Sequence, residues 1–323
     1  MSPLRRVAVA VVSWLFLAGP APAQNYPDHV VRIVNPFPPG GSVDVLARIL
    51  AQKLSENLGQ QVIVENRAGG GGNTGAEMVA KSEPDGHTLL FTAPGPLVVN
   101  QTLYAKLPFD PARDFAPIAL FAMAPIVLMV NPDIPANNVQ ELIAYARSRP
   151  GQINFGSAGN GSTPHLNGEL FKTMAHIDIV HVPYRGTGPA MNDLIGGHIQ
   201  MFFDLLPASL PQIESRKVRA LANAGATRAP LLANLPTVAE QGLPGFDSTS
   251  WVGVVAPIRT PPAVTAKLIA EVEKVVKSPD IAARITELGS QPGTAFGKDF
   301  ARFMEAETAK WAAVIKASGA RAE

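Results

Sequence analysis

Four times along this chain an apolar, strand-like run breaks into glycines with Ser, Thr or Asn and then into a helical pattern. The stretches are 30-VVRIVNPFPPGGSVDVLARIL-50, 62-VIVENRAGGGGNTGAEMVAK-81, 153-INFGSAGNGSTPHLNGELF-171 and 179-IVHVPYRGTGPAMNDLIGG-197. Strand, flexible corner, helix is the order of a βα unit, and its recurrence predicts an α/β architecture. The corners also have a chemistry. A helix start leaves backbone N–H groups unpaired and carries partial positive charge, glycine lets a ligand approach that backbone, and hydroxyls add donors. Ser42 before Val43, and Thr163 before Pro164, read as helix caps. One such corner alone is most simply a tight turn; several, spread over the chain, point to facing anion sites. The first corner lacks the Lys-Ser/Thr of a phosphate loop and the GxGxxG of a dinucleotide fold. Spacing leaves phosphate and carboxylate both open.

Between the corners the alternation continues. Strands are expected over 30–35, 62–66, 88–92, 126–130, 153–157, 179–183, 199–204, 218–222 and 251–256, mostly parallel. Helices are expected over 43–58, 75–82, 139–147, 164–174, 189–194 and 262–278, and the tail 298–319 reads as a last amphipathic helix. No sequence repeat stands out. Pro125 to Pro135 and Pro244 to Pro257 are the expected crossings between two lobes, one built from 24–124 with 248–323 and the other from 125–247.

The amino end reads as an address. Arg5 and Arg6 precede the apolar run 7-VAVAVVSWLFLA-18, and Ala21 and Ala23 stand at the small-residue cleavage positions. Residues 1–23 are therefore expected to be a secretory signal peptide, since the run is shorter than the roughly 20 residues a spanning helix needs. The whole chain of 323 residues carries 27 basic and 26 acidic groups with no basic block, which argues against nucleic acid as a partner. It has no cysteine, so disulfides, thiol chemistry and thiolate metal sites are excluded. A bacterial periplasm fits this combination.

Five stretches in this order, IVNPFPPGGSVDVLAR, VIVENRAGGGGNTGAEMVAKSEPDGHTLL, GSAGNGSTPHLNGELF, HVPYRGTGPAMNDLIGGHIQMFFD and LPTVAEQGLPGF, resemble the Bug family, periplasmic receptors of tripartite tricarboxylate transporters. The resemblance runs from Tyr26 to Gly319. It implies a two-lobed, type II-like periplasmic binding protein, a Venus flytrap with the ligand cleft between α/β lobes. It also implies a small organic acid as ligand, membrane subunits of a tripartite transporter as partners, a monomer, and no cofactor, metal or catalysis. Carried over, Phe37, Pro39, Gly40, Gly41 and Ser42 would form the first-lobe cradle. Ser157, Gly159, Asn160, Gly161, Ser162 and Thr163 would supply the opposing helix start, with Arg185, Gly186 and Thr187 closing one side and Asp204 at a strand end. Three positions depart from the family pattern: Asn35 where an aliphatic residue is usual, His87 where an aromatic is, and Leu205 where Asn is. The last makes the wall beside Asp204 more apolar and weighs against a citrate-like ligand.

Two other readings stand beside this one. A secreted hydrolase or lyase would use Asp204 and His165, but the chain has no GxSxG elbow. A sensor would present the same ligand to a signalling partner. His165 and Glu169 lie one helical turn apart and could share a metal, but read more simply as neighbours at a helix start, and His181, in an apolar strand, reads as a packed or hydrogen-bonded histidine. Arg67 and Arg185 could each clamp a carboxylate, or Arg67 could tie carbonyls inside its glycine turn. Trp251 and Trp311 read as core or hinge packing.

Overall fold

The computed structural model describes residues 26–318 and 321–322. The expected signal segment 1–23 lies outside them. No helix among the described residues is long and apolar enough to cross a membrane.

The chain builds two sheets. β1 (Val31–Asn35), β2 (Val62–Asn66), β3 (Thr88–Thr92), β4 (Phe115–Ala124), β10 (Ser250–Pro257) and β11 (Gln291–Pro292) form a six-stranded sheet in the order β11-β4-β10-β3-β1-β2. β5 (Ile126–Val130), β6 (Asn154–Ser157), β7 (Val180–Pro183), β8 (Met201–Leu205) and β9 (Arg219–Asn223) form a five-stranded sheet in the order β7-β6-β8-β5-β9. Both repeat one plan. A strand with two parallel neighbours is followed by a strand that enters antiparallel from the other half of the chain: β10 beside β3, and β5 beside β8. Each incoming strand then pairs antiparallel with one more, β4 or β9. The sheets are thus mixed, not mostly parallel. Strands that cross between halves arrive against the direction of the local βα units, which no single-segment pattern reveals.

The crossing itself is short. Only Pro125 separates β4 from β5, and the chain returns to the first sheet between β9 and β10. β4 is absent from the expected strands because Pro117 interrupts its apolar run. The structure accommodates it beside a register shift, where Val254 faces Ala119 and Val255 faces Pro117.

Helices cover both faces of each sheet, so the central strands are mostly apolar and feed cores on both sides. On β5, Ile126, Leu128 and Val130 join one core while Val127 and Met129 join the core on the opposite face. The first sheet is packed on one face by α1 (Ser42–Leu58), through Leu46, Leu50 and Leu54, and by α9 (Pro262–Lys277), through Leu268, Val272 and Val275. Its other face carries α2 (Asn73–Ala80) and α11 (Lys298–Ser318), with Trp251, Phe300 and Trp311 in that core. Both tryptophan N–H groups donate to Glu307 Oε2, at 3.0 and 3.2 Å. In the second half, α5 (Val139–Arg147) and α6 (Thr163–Ala175) enclose Phe155, Phe171, Phe203 and Phe246. α7 (Thr187–Ile195) and α8 (Leu206–Glu214) pack on the far face, bringing Leu194, Leu206 and Leu210 against Phe202 of β8. α8 escapes sequence reading because Pro207 and Pro211 suggest a loop, yet Pro207 sits in the first turn, where its missing N–H costs nothing.

Candidate functional site

Three helix starts, one from the first half and two from the second, converge on a narrow, partly open cavity. α1 brings Gly41, Ser42 and Val43, α6 brings Thr163 and Pro164 after Ser162, and α7 brings Thr187. In a first turn no carbonyl of the same helix reaches the N–H groups, so those of Ser42, Val43, Thr163 and Thr187 depend on something outside the helix. The remaining wall is apolar, from Phe37, Pro38, Ala93, Ala158 and Leu205, except for Asp204 at the end of β8.

The first corner is built differently from the cap its sequence suggests. Gly41, not Ser42, is the N-cap of α1, with extended backbone (φ −79°, ψ 167°) and no side-chain cap. Gly40 turns the chain at φ +85°, a conformation that favours glycine, and its N–H donates to Asp44 Oδ2 at 3.0 Å. Burial opposes ionisation of Asp44, but donors from Arg48, Gly40 and Asn66 outweigh it and hold the carboxyl below its usual range. The Gly40 amide is therefore committed to its own corner.

Ser42 does something the sequence does not foretell. Its hydroxyl reaches into the other half of the molecule, donating to Leu205 O at 3.2 Å and accepting from Ala208 N at 2.9 Å. Ala208 is in the first turn of α8, so Ser42 caps a helix 163 residues away. Two more hydrogen bonds join the halves. Thr163 Oγ1 meets Ser250 Oγ at 3.4 Å, and the exposed Tyr104 hydroxyl donates to Asn160 O at 2.8 Å. Ser162, not Thr163, is the N-cap of α6, and its hydroxyl donates to Gly159 O at 2.6 Å within the loop.

The glycines of the corners meet along this seam. A Cβ on Gly41 would stand 2.9 Å from Thr187 Oγ1, and one on Gly186 would stand 2.5 Å from Pro38 Cγ. One on Gly71 would stand 2.3 Å from Asn160 O, and one on Gly161 2.7 Å from Asn100 Oδ1. Each clash is between segments of different halves. Glycine here lets the two halves approach each other, in addition to any ligand.

The residues expected at the site divide into three groups. Phe37, Gly41, Ser42, Ser162, Thr163, Thr187 and Asp204 line the inner cavity. Gly159, Asn160 and Arg185 line an outer cleft that shares Phe37, Pro38 and Ala158 with the cavity and adds Gly69 to Gly72 and Tyr104. Pro39, Gly40, Ser157, Gly161 and Gly186 line neither and shape the corners instead. Ser157 Oγ is 2.6 Å from His181 Nε2 and accepts from Gly159 N at 3.1 Å. Spacing gives no hint of Ala93, which lines the cavity just after β3, or of Ser250, which meets Thr163 from the start of β10.

Electrostatically the inner cavity holds one titratable side chain among the described residues, Asp204. It is 1% exposed, and burial pushes its carboxyl up to about 7, opposed by hydrogen bonds from Leu205 N and Ser209 Oγ. Ser209 Oγ donates to Oδ2 at 3.2 Å, while Oδ1 has no partner. Beneath the α6 start, His165 and His181 stack with ring centroids 4.1 Å apart. Burial pushes His165 down to about 4; burial and the neighbouring ring push His181 to about 3, so both are neutral. His165 Nδ1 accepts from Gly161 N at 3.2 Å. Arg185 is exposed on the outer cleft, and Arg67 pairs with Glu65 rather than with carbonyls.

Outside the cleft, Asp28, His29 and His87 bring possible metal-ligand atoms within 4.8 Å of one another. The two imidazoles are stacked at 3.6 Å with 12° between their planes, so their in-plane lone pairs run side by side and do not converge on an ion.

Comparison with known proteins gives this geometry a family. Residues 46–320 match the description "Tripartite tricarboxylate transporter family receptor". Protein BugT of Bordetella pertussis is 35% identical over 322 residues, covering 99% of each chain. An R. palustris protein (Rpa4515) solved with adipate is 40% identical, with a TM-score of 0.89 over 91% of this chain and 98% of that one. MatC of Rhodopseudomonas palustris, solved with bound malate, is 32% identical, with a TM-score of 0.86 over 90% of this chain and 100% of that one. The two-lobed α/β fold, the ordered glycine corners and these matches agree: this chain belongs to the Bug family, the receptors of tripartite tricarboxylate transporters.

Proposed function

We propose that this protein captures a small carboxylate with an apolar body in the periplasm and delivers it to the membrane subunits of a tripartite transporter. The observation that carries this is the convergence of three helix starts, drawn from both halves, on a cavity whose walls are otherwise apolar. Unpaired first-turn N–H groups suit carboxylate oxygens, and Phe37, Val43, Ala93 and Leu205 suit a hydrocarbon spacer. Adipate and malate in two relatives set the size class. The lobes are 24–124 with 248–323, and 125–247, and they close on the ligand as a monomer. Export uses residues 1–23 as a signal removed after Ala23.

The protein binds its ligand without converting it. His165, the partner a hydrolase would need for Asp204, spends Nδ1 on Gly161 N–H and is stacked against His181. Titration calorimetry with adipate, malate and longer dicarboxylates tests the assignment. Saturation at one site with recovery of the unchanged acid by mass is the expected result. No binding by any of these acids, or steady turnover, would reject it. At a hundredfold excess over Kd, a true ligand adds about 2.7 kcal/mol to unfolding stability.

A further inference from the structure

Asp204 poses a problem for a carboxylate receptor: it places a second carboxyl in the cavity the ligand would enter. Its Oδ1 is buried without a partner, and its Oδ2 accepts from Ser209 Oγ. We infer that the ligand's carboxylate and Asp204 share one proton, Asp204 Oδ1 carrying the hydrogen and donating it, so that binding takes up H⁺. This deepens the proposed function and rests on its carboxylate ligand.

The surroundings of Asp204 lead to this form. No cation lines the inner cavity among the described residues. On α1, Asp44 is held by Arg48, Asn66 and Gly40 N–H. On α6, His165 is neutral and anchored to Gly161; on α7 the cavity receives only Thr187; and α8 carries no charged residue before Glu214. The paired position on β5 is Val127, and Arg185 lies out in the exposed cleft. Two ionised carboxylates side by side in such a place repel, whereas one proton between them makes a short charge-assisted hydrogen bond. The remaining oxygens of the ligand then take the first-turn N–H groups. Burial already lifts the Asp204 carboxyl to about 7 in the empty protein, and a nearby ligand anion lifts it further. The ligand's own carboxyls ionise near pH 4, far below this range. The consumed proton therefore goes to Asp204 and comes from solvent.

The consequence is a specific pH dependence. Below about pH 7 Asp204 holds its proton before the ligand arrives, and affinity is flat. Above it, each ligand takes up one proton, and Kd weakens about tenfold per pH unit until the carboxyl of the complex ionises. The test is calorimetry with adipate and L-malate at pH 6 and pH 8, in two buffers of different ionisation enthalpy. At pH 8 the wild-type protein should take up close to one proton per bound acid, and at pH 6 close to none. Asp204→Asn, which offers a permanent N–H donor from the same position, should bind equally at both pH values with no proton uptake. Circular dichroism checks that this variant is folded, and the wild-type proton count stands without it. Binding at pH 8 with no proton uptake overturns the inference and leaves carboxylate binding intact. Failure of both acids and of the longer homologues to bind overturns the inference and the proposed function together.

Discussion

Gly41 separates two meanings of the opening glycine corner, access for a ligand and approach of the other half. Its backbone is extended at φ −79°, so an alanine there strains nothing within its own half. The new Cβ meets only one close neighbour, Thr187 Oγ1 at 2.9 Å, across the seam. An ordinary contact needs roughly half an ångström more, which Thr187 can supply only by leaving its rotamer or by holding α7 away from α1. Overpacking of this kind costs about 1–3 kcal/mol. Because the clash exists only when the halves are together, it falls on closure, and Kd should rise about 5- to 150-fold for Gly41→Ala with no loss of folding. Thr187→Ala removes the colliding oxygen. In a double-mutant cycle read by calorimetry with adipate, adding Thr187→Ala to Gly41→Ala should recover most of the loss. Additive losses would refute the seam account and return Gly41 to the ligand, whereas unchanged binding by Gly41→Ala would show that neither close approach matters.

Other perturbations read other parts of the same machine. Ser42→Ala should leave the Ala208 N–H uncapped in the closed form, weakening ligand binding by about 0.5–2 kcal/mol and enlarging the empty protein in small-angle scattering. Tyr104→Phe, which removes an exposed contact to Asn160 O, should weaken binding by less than about 1 kcal/mol in the same titration. Thermal melts of the empty protein should show two opposed pH slopes. Asp204, raised from its unfolded value to about 7, contributes stability below pH 4 that is lost as pH rises to 7, so Asp204→Asn should melt higher than wild type at pH 8 and alike at pH 4. His165 and His181, lowered to about 4 and 3, contribute stability above pH 6.5 that is lost as pH falls through 4, and His181→Gln should flatten that acid limb.

What the sequence discloses here is local, and what it withholds depends on long-range pairing. β2 and α5 coincide with their expected spans because each is a single periodic run bounded by its own stop signals. α2 begins at Asn73, earlier than its apolar pattern suggests, because Gly70 to Gly72 already coil as a 3-10 turn leading into it. Within the site, residues that expose backbone at a helix start were legible, since glycine, hydroxyl and helical periodicity occur together in one segment. The partner of each was not. Ser42 looks like the cap of its own helix, and only the packing of α1 against α8 shows that it caps a different one. Asn160 and Arg185 have the right types for ligand contact, but the close fit of Gly71 to Asn160 and of Gly186 to Pro38 sets the loops that carry them at the outer cleft.

The seam and the cavity use the same currency, first-turn N–H groups and hydroxyls. Ser42, Thr163 and Tyr104 each satisfy a polar group of the opposite half, at 2.8 to 3.4 Å. Ser42 makes two such bonds and Thr163 and Tyr104 one each, and these four, at about 0.5–1.5 kcal/mol each, favour the closed form. A ligand held between the halves adds its own contribution to closure. That contribution must come from groups the seam leaves unused: the amides of Ser42, Val43, Thr163 and Thr187, and the single unpartnered oxygen of Asp204. An apolar spacer alone would fill the cavity and leave these polar groups buried unpaired, which costs about 1–3 kcal/mol for each. The cavity therefore selects against hydrocarbon and for an acid whose oxygens can complete what the two halves leave open.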